Sequence, residues 1–149
     1  MKYEINTSIT IHATPAQIWD VLTDFSAYPT WNSFIKSIRG EISVGKKFHV
    51  EIEGMKFNPV TLTFEQNRSF SWKGILLFPG LFDGTHAFEL TDNDNGTTTF
   101  VQKESFKGIL VGFLKKKLDK DTRSGFEAMN RNLKETVESR LTNTSLDKK

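Results

Sequence analysis

Polar side chains interrupt the aromatic pattern on two neighbouring stretches of the chain. From residue 98 onwards, one parity consists of Thr98, Phe100, Gln102, Glu104 and Phe106. Because side chains on one face of a strand are two residues apart, the phenylalanines mark this parity as the inner face. His86 shares the parity of Phe88, and Trp72 lies on the apolar parity of its own segment. We therefore expect Gln102, Glu104, His86 and Trp72 to converge on one apolar concave surface.

A carboxyl group beside an imidazole has more than one chemical use. Glu104 and His86 form either an ion pair, in which each keeps the other charged, or the acid and base that enolate-type cyclisation needs. Alternatively, Gln102 and Glu104 only satisfy His86, Trp72 or backbone groups and close a buried network without a ligand. A bulge or register slip near Gln102 would reverse the faces and turn these side chains outward.

The elements that position these residues follow from periodicity. Residues 3–11 alternate as a strand, and the sequence Thr14-Pro15-Ala16-Gln17 predicts a capped helix. A second short helix is expected from Tyr28. Residues 35–107 read as about six antiparallel strands, including a long one at 70–78. The period then becomes helical from Ile109 to about Leu141, with a kink or break near 119–125.

This order predicts an α+β fold with a curved antiparallel sheet of about seven strands wrapped around a long C-terminal helix. Phe126 and Met129 begin the apolar stripe of that helix, and Arg123 is expected to pair with an acid such as Glu127. Packing sheet and helix together buries both apolar faces, and a gap remains where the sheet curves away from the helix. We predict a single domain over residues 1–142 and a flexible polar tail at 143–149.

Composition excludes several classes of function. The chain has 149 residues, a formal net charge of +2, no cysteine and 13 phenylalanines. The absence of cysteine removes disulfide and thiol chemistry, and the small charge gives no signal for nucleic-acid binding. His12 and His49 are expected to face outward, so no shared metal site and no cofactor are predicted. The N-terminus lacks the apolar core of a signal peptide, so a cytoplasmic location is expected.

Four stretches of the chain resemble the START-like helix-grip (SRPBCC) superfamily, in its polyketide cyclase/dehydrase-like branch. They are ATPAQIWDVLTDFSAYPTWN after the first strand, PGLFDGTH at 79–86, FVQKESFKG at 100–108 and RSGFEAMNRNLK in the last helix. The resemblance implies an internal cavity for a hydrophobic ligand. It implies no particular reaction, because this fold hosts lipid carriers, cyclases, quinone-binding proteins and chaperone cofactors.

These observations lead to a predicted ligand-binding surface. Its members are Trp72, Phe82, His86, Phe88, Phe100, Gln102, Glu104, Phe106, Phe126 and Met129. The main hypothesis is a binding or carrier protein for a small hydrophobic molecule of lipid, aromatic polyketide or quinone type. One alternative is a cyclase or dehydratase that uses Glu104 and His86 as acid and base.

A different class of function comes from a lysine cluster outside this surface. Lys115, Lys116, Lys117 and Lys120 follow the apolar stretch at 109–114. Such a cluster is either a solvated helix face or a weak contact with a membrane surface or a partner protein.

Overall fold

A computed structural model describes residues 2–76 and 80–147 of the chain. The described strands are β1 (Lys2–Ile11), β2 (Ile35–Arg39), β3 (His49–Ile52), β4 (Met55–Phe57), β5 (Val60–Glu65), β6 (Ser69–Leu76), β7 (Phe82–Asp92) and β8 (Thr98–Lys107). The described helices are α1 (Pro15–Leu22), α2 (Tyr28–Trp31), α3 (Val111–Lys117) and α4 (Arg123–Asp147), with a 3₁₀ turn at Phe25–Ala27 and a π-helical turn at Leu118–Thr122. The predicted α+β order is confirmed. The part of the long strand predicted at 77–78 lies outside the described residues.

The strands form two hydrogen-bonded groups rather than one continuous ladder. Five antiparallel strands follow the order β1-β8-β7-β6-β5, and three follow the order β2-β3-β4. The described residues contain eight strands, which agrees with the predicted count of about seven. Pro59 lies between β4 and β5 and has no N–H to donate, so the ladder is interrupted there. The hydrogen bond from Phe48 N to Pro59 O, 3.1 Å, and a bridge between Lys47 and Val60 hold the two groups side by side.

The predicted stripe of α4 packs against the concave face of the larger sheet. Phe126, Met129, Leu133 and Val137 are all fully buried or nearly so. They follow one another at intervals of three or four residues, which places them on one helix face. Burying each of these side chains contributes roughly 1.5–3 kcal/mol, so this contact stabilises the packing of α4 on the sheet.

The start of α1 follows the sequence prediction. Thr14 Oγ1 accepts a hydrogen bond from Gln17 N at 3.2 Å, and Gln17 Oε1 accepts one from Thr14 N at 2.9 Å. This reciprocal capping box satisfies two N–H groups that the first helical turn cannot pair internally. Because the signal depends only on residues three apart, it was visible in the sequence.

The predicted helix break lies at the π-helical turn between α3 and α4. Gly125 is not the residue that bends; it lies in the first turns of α4, beneath the ring of Phe34. A Cβ atom at this position would lie 2.4 Å from Phe34 Cδ1. The glycine therefore allows Phe34 to pack onto the helix, edge to face with Phe126.

Three local predictions need correction. Residues 143–147, predicted as part of a tail, continue α4, because they contain no glycine or proline and each added residue gains a helical hydrogen bond. In the sequence, Val60, Leu62 and Phe64 alternate with Thr61, Thr63 and Glu65, which predicts that the three apolar residues share one face of β5. A register shift between Thr61 and Thr63 instead buries Thr61 and exposes Leu62. Arg123 pairs with Asp119, one turn earlier, rather than with Glu127.

No described helix is long and apolar enough to cross a bilayer.

The packing of Phe34 on Gly125 generates a stability prediction. Helix propensity alone favours alanine over glycine by about 1 kcal/mol. The clash with Phe34 reverses that sign, so we expect Gly125→Ala to lower the free energy of unfolding by about 1–3 kcal/mol in urea denaturation. Gly74→Ala is the control, because a Cβ at Gly74 meets no atom within 4 Å. A Gly125→Ala protein more stable than the wild type would contradict the prediction.

Candidate functional site

A half-open cavity of about 140 Å³ lies at the end of the sheet that α4 leaves uncovered. The described side chains around it come from β3 and β4 on one wall, from β6, β7 and β8 on the other, and from the π-helical turn. Met55 and Ile75 line the cavity and are also 53% and 48% exposed, so they form part of its rim. Most of the cavity wall is apolar.

Four of the predicted site residues line this cavity. They are Trp72, Phe82, Glu104 and Phe106. Phe82 and Phe106 stack on each other, with ring centroids 5.5 Å apart. Glu104 is the carboxylate that the larger sheet contributes to the lining, and its side chain is 16% exposed.

The other six predicted residues are buried but do not line the cavity. They are His86, Phe88, Phe100, Gln102, Phe126 and Met129. The strand parity that predicted them is correct, since all the strand members of this set point to the concave face. Phe88 and Phe100 stack on each other further along β7 and β8, and they are fully buried in the same hydrophobic core as Phe126 and Met129 of α4. They belong to the packed core.

Several cavity residues were missed by the sequence analysis. Apolar examples are Phe34, Ile52, Met55, Phe57, Ile75 and Leu118. Ile52, Met55 and Phe57 lie on the smaller sheet, Phe34 lies on a loop and Leu118 on the π-helical turn, and no periodic signal links these segments to β8. Ile75 lies on β6 of the larger sheet, but at the parity opposite to that of Trp72. Glu53 also lines the cavity and is exposed.

His86 is held from two sides by residues of β8. Its Nδ1 lies 2.5 Å from Glu104 Oε2, and its Nε2 lies 3.0 Å from Gln102 Oε1. The strand register places His86 opposite Glu104 and Phe88 opposite Gln102. The indole of Trp72 stacks on the imidazole with centroids 4.6 Å apart and planes 6° from parallel. His86 is 1% exposed, so it acts on the cavity only through Glu104.

The polar chain continues from Gln102 into α4 and β1. Gln102 Nε2 donates to Asn130 Oδ1 at 2.9 Å, and Asn130 Nδ2 donates to Thr7 Oγ1 at 2.9 Å. The Thr7 hydroxyl in turn donates to the backbone carbonyl of Gln102 at 2.8 Å. Asn130 and Thr7 were missed, although a signal existed, because each is a polar residue on the apolar stripe of its helix or strand.

The polar chain of hydrogen bonds through Thr7, Asn130 and Gln102 determines which ring nitrogen of His86 carries a hydrogen. A backbone carbonyl only accepts, so Thr7 must donate to it and accept from the Asn130 amide. Asn130 Oδ1 then accepts from Gln102 Nε2, which leaves Gln102 Oε1 facing His86. His86 Nε2 is therefore a donor. The remaining contact, between His86 Nδ1 and Glu104 Oε2, holds one shared proton.

Glu104 has one oxygen left for the cavity. Oε2 is engaged by His86, and no group in the described part of the chain donates to Oε1. Gly84, on the adjacent strand, makes room for this oxygen, because a Cβ there would lie 2.6 Å from Oε1. Whichever partner holds the shared proton, it lies between Oε2 and His86. Oε1 is thus an acceptor at the cavity wall in both states.

The π-helical turn that closes the cavity is anchored to β1. Asp119 accepts hydrogen bonds from the Tyr3 hydroxyl and from Arg123 Nη2, the latter at 3.0 Å. The Tyr3 hydrogen bond, followed by that of Arg123, holds the pKa of the Asp119 carboxyl below its usual value. Leu118 and Thr122 of this turn reach the cavity.

The polar chain makes a spectroscopic prediction. In ¹⁵N-edited NMR spectra of the protein at neutral pH, we expect His86 to carry hydrogen on Nε2 in a single, slowly exchanging form. Gln102→Leu removes the acceptor, so we expect a mixture of tautomers and a loss of about 2 kcal/mol in unfolding free energy.

Gln66→Leu is the matched control, because Gln66 is exposed. It should leave the His86 signals and the stability unchanged. A wild-type spectrum in which Nε2 carries no hydrogen would show that the polar chain is oriented in the opposite sense.

Comparison with known proteins agrees with this architecture. The family model described as polyketide cyclase / dehydrase and lipid transport matches residues 2–138. A search of curated proteins found no match. Among solved structures, a hypothetical protein, jhp0584, from Helicobacter pylori superposes with a TM-score of 0.77 at 16% identity, covering 91% of this chain and 88% of that one.

Two further structures carry informative names. The Zhui aromatase/cyclase from Streptomyces sp. R1128 has a TM-score of 0.74 at 14% identity, covering 95% of this chain and 96% of that one. A START superfamily protein from Mycobacterium smegmatis has a TM-score of 0.69 at 19% identity, covering 91% and 97%. At these identities the structures show a shared helix-grip fold. With the family model spanning most of its length, the chain belongs to the polyketide cyclase/dehydrase and lipid transport family.

Proposed function

We propose that the protein binds or carries a small hydrophobic molecule that carries a hydroxyl group. The observation that supports this most strongly is an apolar cavity in which the described strands of the larger sheet contribute one carboxylate oxygen, Glu104 Oε1, as a side-chain acceptor. Apolar burial supplies the affinity of such sites, and a few placed polar groups orient the ligand. The family description, which includes lipid transport, agrees with a carrier role.

The size of the cavity indicates how much of a ligand is enclosed. A cavity of about 150 Å³ holds a benzene-sized molecule in a protein interior. The 140 Å³ found here therefore encloses about one ring, and a longer ligand extends past Met55 and Ile75 into the open side. Flat walls formed by Trp72, Phe82 and Phe106 suit an aromatic ring.

The hydrogen-bonding role of Glu104 distinguishes between the three ligand types that the sequence suggested, which are lipids, aromatic polyketides and quinones. Since Oε1 accepts in both protonation states of the pair, a phenol or alcohol gains a hydrogen bond there. A quinone presents only acceptors and gains none. Lipids with a free hydroxyl and phenolic polyketides therefore fit better than quinones.

A cytoplasmic location stays a prediction from the sequence.

Binding of matched aromatic probes tests the proposal. In isothermal titration calorimetry, we expect 2-naphthol to bind at least tenfold more tightly than 2-methoxynaphthalene, because only the former donates to Glu104. Glu104→Leu should abolish that preference, whereas Glu104→Gln, which keeps an acceptor, should retain part of it.

Glu53→Gln is the control, since it changes an exposed carboxylate at the same cavity. It should leave the preference intact. If neither probe binds the wild-type protein, the carrier proposal fails. If both bind equally, the cavity binds hydrophobic molecules but Glu104 does not select them.

We propose as a second candidate that the cavity catalyses a cyclisation or dehydration. The shared proton between Glu104 and His86 favours this candidate, because acid–base chemistry needs a carboxyl group that gains or loses a proton beside its substrate. Glu104 would be the catalytic residue, as it reaches the cavity. His86, buried behind it, would be a positioning residue that returns the proton. A structurally similar protein is named as an aromatase/cyclase, which supports testing this chemistry.

Turnover of a linear poly-β-ketone thioester distinguishes this candidate from pure binding. If the protein is an enzyme, we expect cyclised product by mass spectrometry and a loss of about 10²–10⁴-fold in rate for Glu104→Gln. His86→Asn should shift the pH profile of the rate, and Glu53→Gln should change neither. Product formation that is unaffected by Glu104→Gln would refute the assigned acid–base role.

A further inference from the structure

The most exposed large apolar side chains in the described residues lie on the segment that joins β8 to α4. Phe113 is 88% exposed and Ile109 is 72% exposed. Ile109 lies in the turn two residues before α3, and Phe113 lies in the first turn of that helix, so the two exposed side chains follow each other closely along the chain. Val111, on the opposite side, is buried. The helix thus turns one apolar face inward and a second one to solvent.

Lysines surround this exposed pair. Lys116 and Lys117 follow Phe113 by three and four residues, which places them next to it on the helix surface. We call Ile109, Phe113, Lys116 and Lys117 together the Phe113 surface. None of the ion pairs found among the described residues involves Lys116 or Lys117.

The charge around this surface is positive. Residues 115–123 contain five cationic side chains and two carboxylates. One of the carboxylates, Asp119, is paired with Arg123 inside the same segment. The ammonium of Lys115 lies 5.3 Å from the centre of the Tyr3 ring. Lys116, Lys117 and Lys120 are all exposed to solvent.

The Phe113 surface lies at the same end of the sheet as the cavity. Ile75, which lines the cavity, pairs with Asp83, and Asp83 pairs with Lys107 across β6, β7 and β8. Ile109 follows two residues after Lys107, and its N–H donates to the Gly80 carbonyl at 3.2 Å. At its other end, α3 leads directly into Leu118, which also lines the cavity.

We propose that the Phe113 surface docks the protein on an anionic lipid bilayer, at the end of the molecule where the cavity opens. Aromatic and aliphatic side chains beside lysines suit the boundary between headgroups and acyl chains. The lysines are attracted to anionic headgroups. A stable protein partner commonly covers about 800 Å² on each side, which is more than Phe113 on the seven-residue helix and Ile109 in the preceding turn offer. The inference goes beyond the proposed function, and would give a carried hydrophobic ligand a short route between bilayer and cavity.

Vesicle co-sedimentation of the ligand-free protein tests this proposal. We expect binding to phosphatidylcholine vesicles that contain phosphatidylglycerol, little binding to pure phosphatidylcholine, and weakening as salt is added. Phe113→Ser and the double variant Lys116→Gln/Lys117→Gln should each reduce the partition coefficient by about tenfold.

Matched control variants change the same residue types elsewhere. Val44→Ser removes another exposed apolar side chain, and Lys36→Gln/Lys47→Gln removes two exposed lysines. Neither should alter vesicle binding. Absent binding, equal binding to neutral vesicles, or equal losses in the control variants would overturn the proposal.

Sedimentation velocity without lipid separates docking from self-association. If Phe113→Ser converts a wild-type dimer to a monomer, the surface is an interface between copies of the chain and the proposal is overturned. If the protein binds 2-naphthol but not anionic vesicles, the docking proposal is refuted and the carrier proposal is not. If it binds vesicles but not 2-naphthol, docking is supported and the carrier proposal is refuted.

Discussion

The imidazole of His86 is almost completely buried among aromatic rings, and its two nitrogens must both find partners there. An unsatisfied buried polar group costs about 1–3 kcal/mol, so the neighbouring part of the sheet must supply an acceptor for one nitrogen and a proton-sharing carboxyl group for the other. Glu104 and Gln102 do so from β8, one on each side of the ring. Through Gln102 the same requirement reaches Asn130 on α4 and thereby fixes the helix against the sheet.

That constraint also sets the chemistry available to the cavity. The polar chain takes up every hydrogen-bonding group of His86 and Gln102, and leaves Glu104 as their single outlet to the cavity. A binding protein and an acid–base enzyme would use the same oxygen in different ways. In the first it orients a hydroxyl, and in the second it exchanges a proton that His86 stores. The family includes both kinds of activity in its description, and the difference depends on the molecule that enters.

The π-helical turn couples the cavity to the outer surface of the protein. Leu118 and Thr122 contribute to the cavity wall, while the lysines just before them face solvent. Wide helical turns of this kind break the regular spacing of side chains and are frequent at functional sites. Here the turn is held to β1 through Tyr3 and Asp119, so a contact made by α3 is close to both a fixed strand and the ligand space.

Sequence patterns by themselves determined which way most side chains point. Period-two alternation identified the inner faces of β7 and β8, and with them His86, Gln102 and Glu104. Residues three or four apart identified the cap of α1 and the stripe of α4. The patterns failed where a single local event changes them, as in the bulge at Thr61 that exposes Leu62, or where no stop signal exists, as in the extension of α4 to Asp147.

Only the tertiary structure decided where along the concave face the cavity lies. Phe88 and Glu104 share that face, yet one is packed under α4 and the other reaches open space. The difference depends on where α4 begins, on the ring of Phe34 against Gly125, and on the smaller sheet that closes the opposite wall. These are contacts between residues far apart in the chain, and periodicity, which relates only near neighbours, carries no information about them.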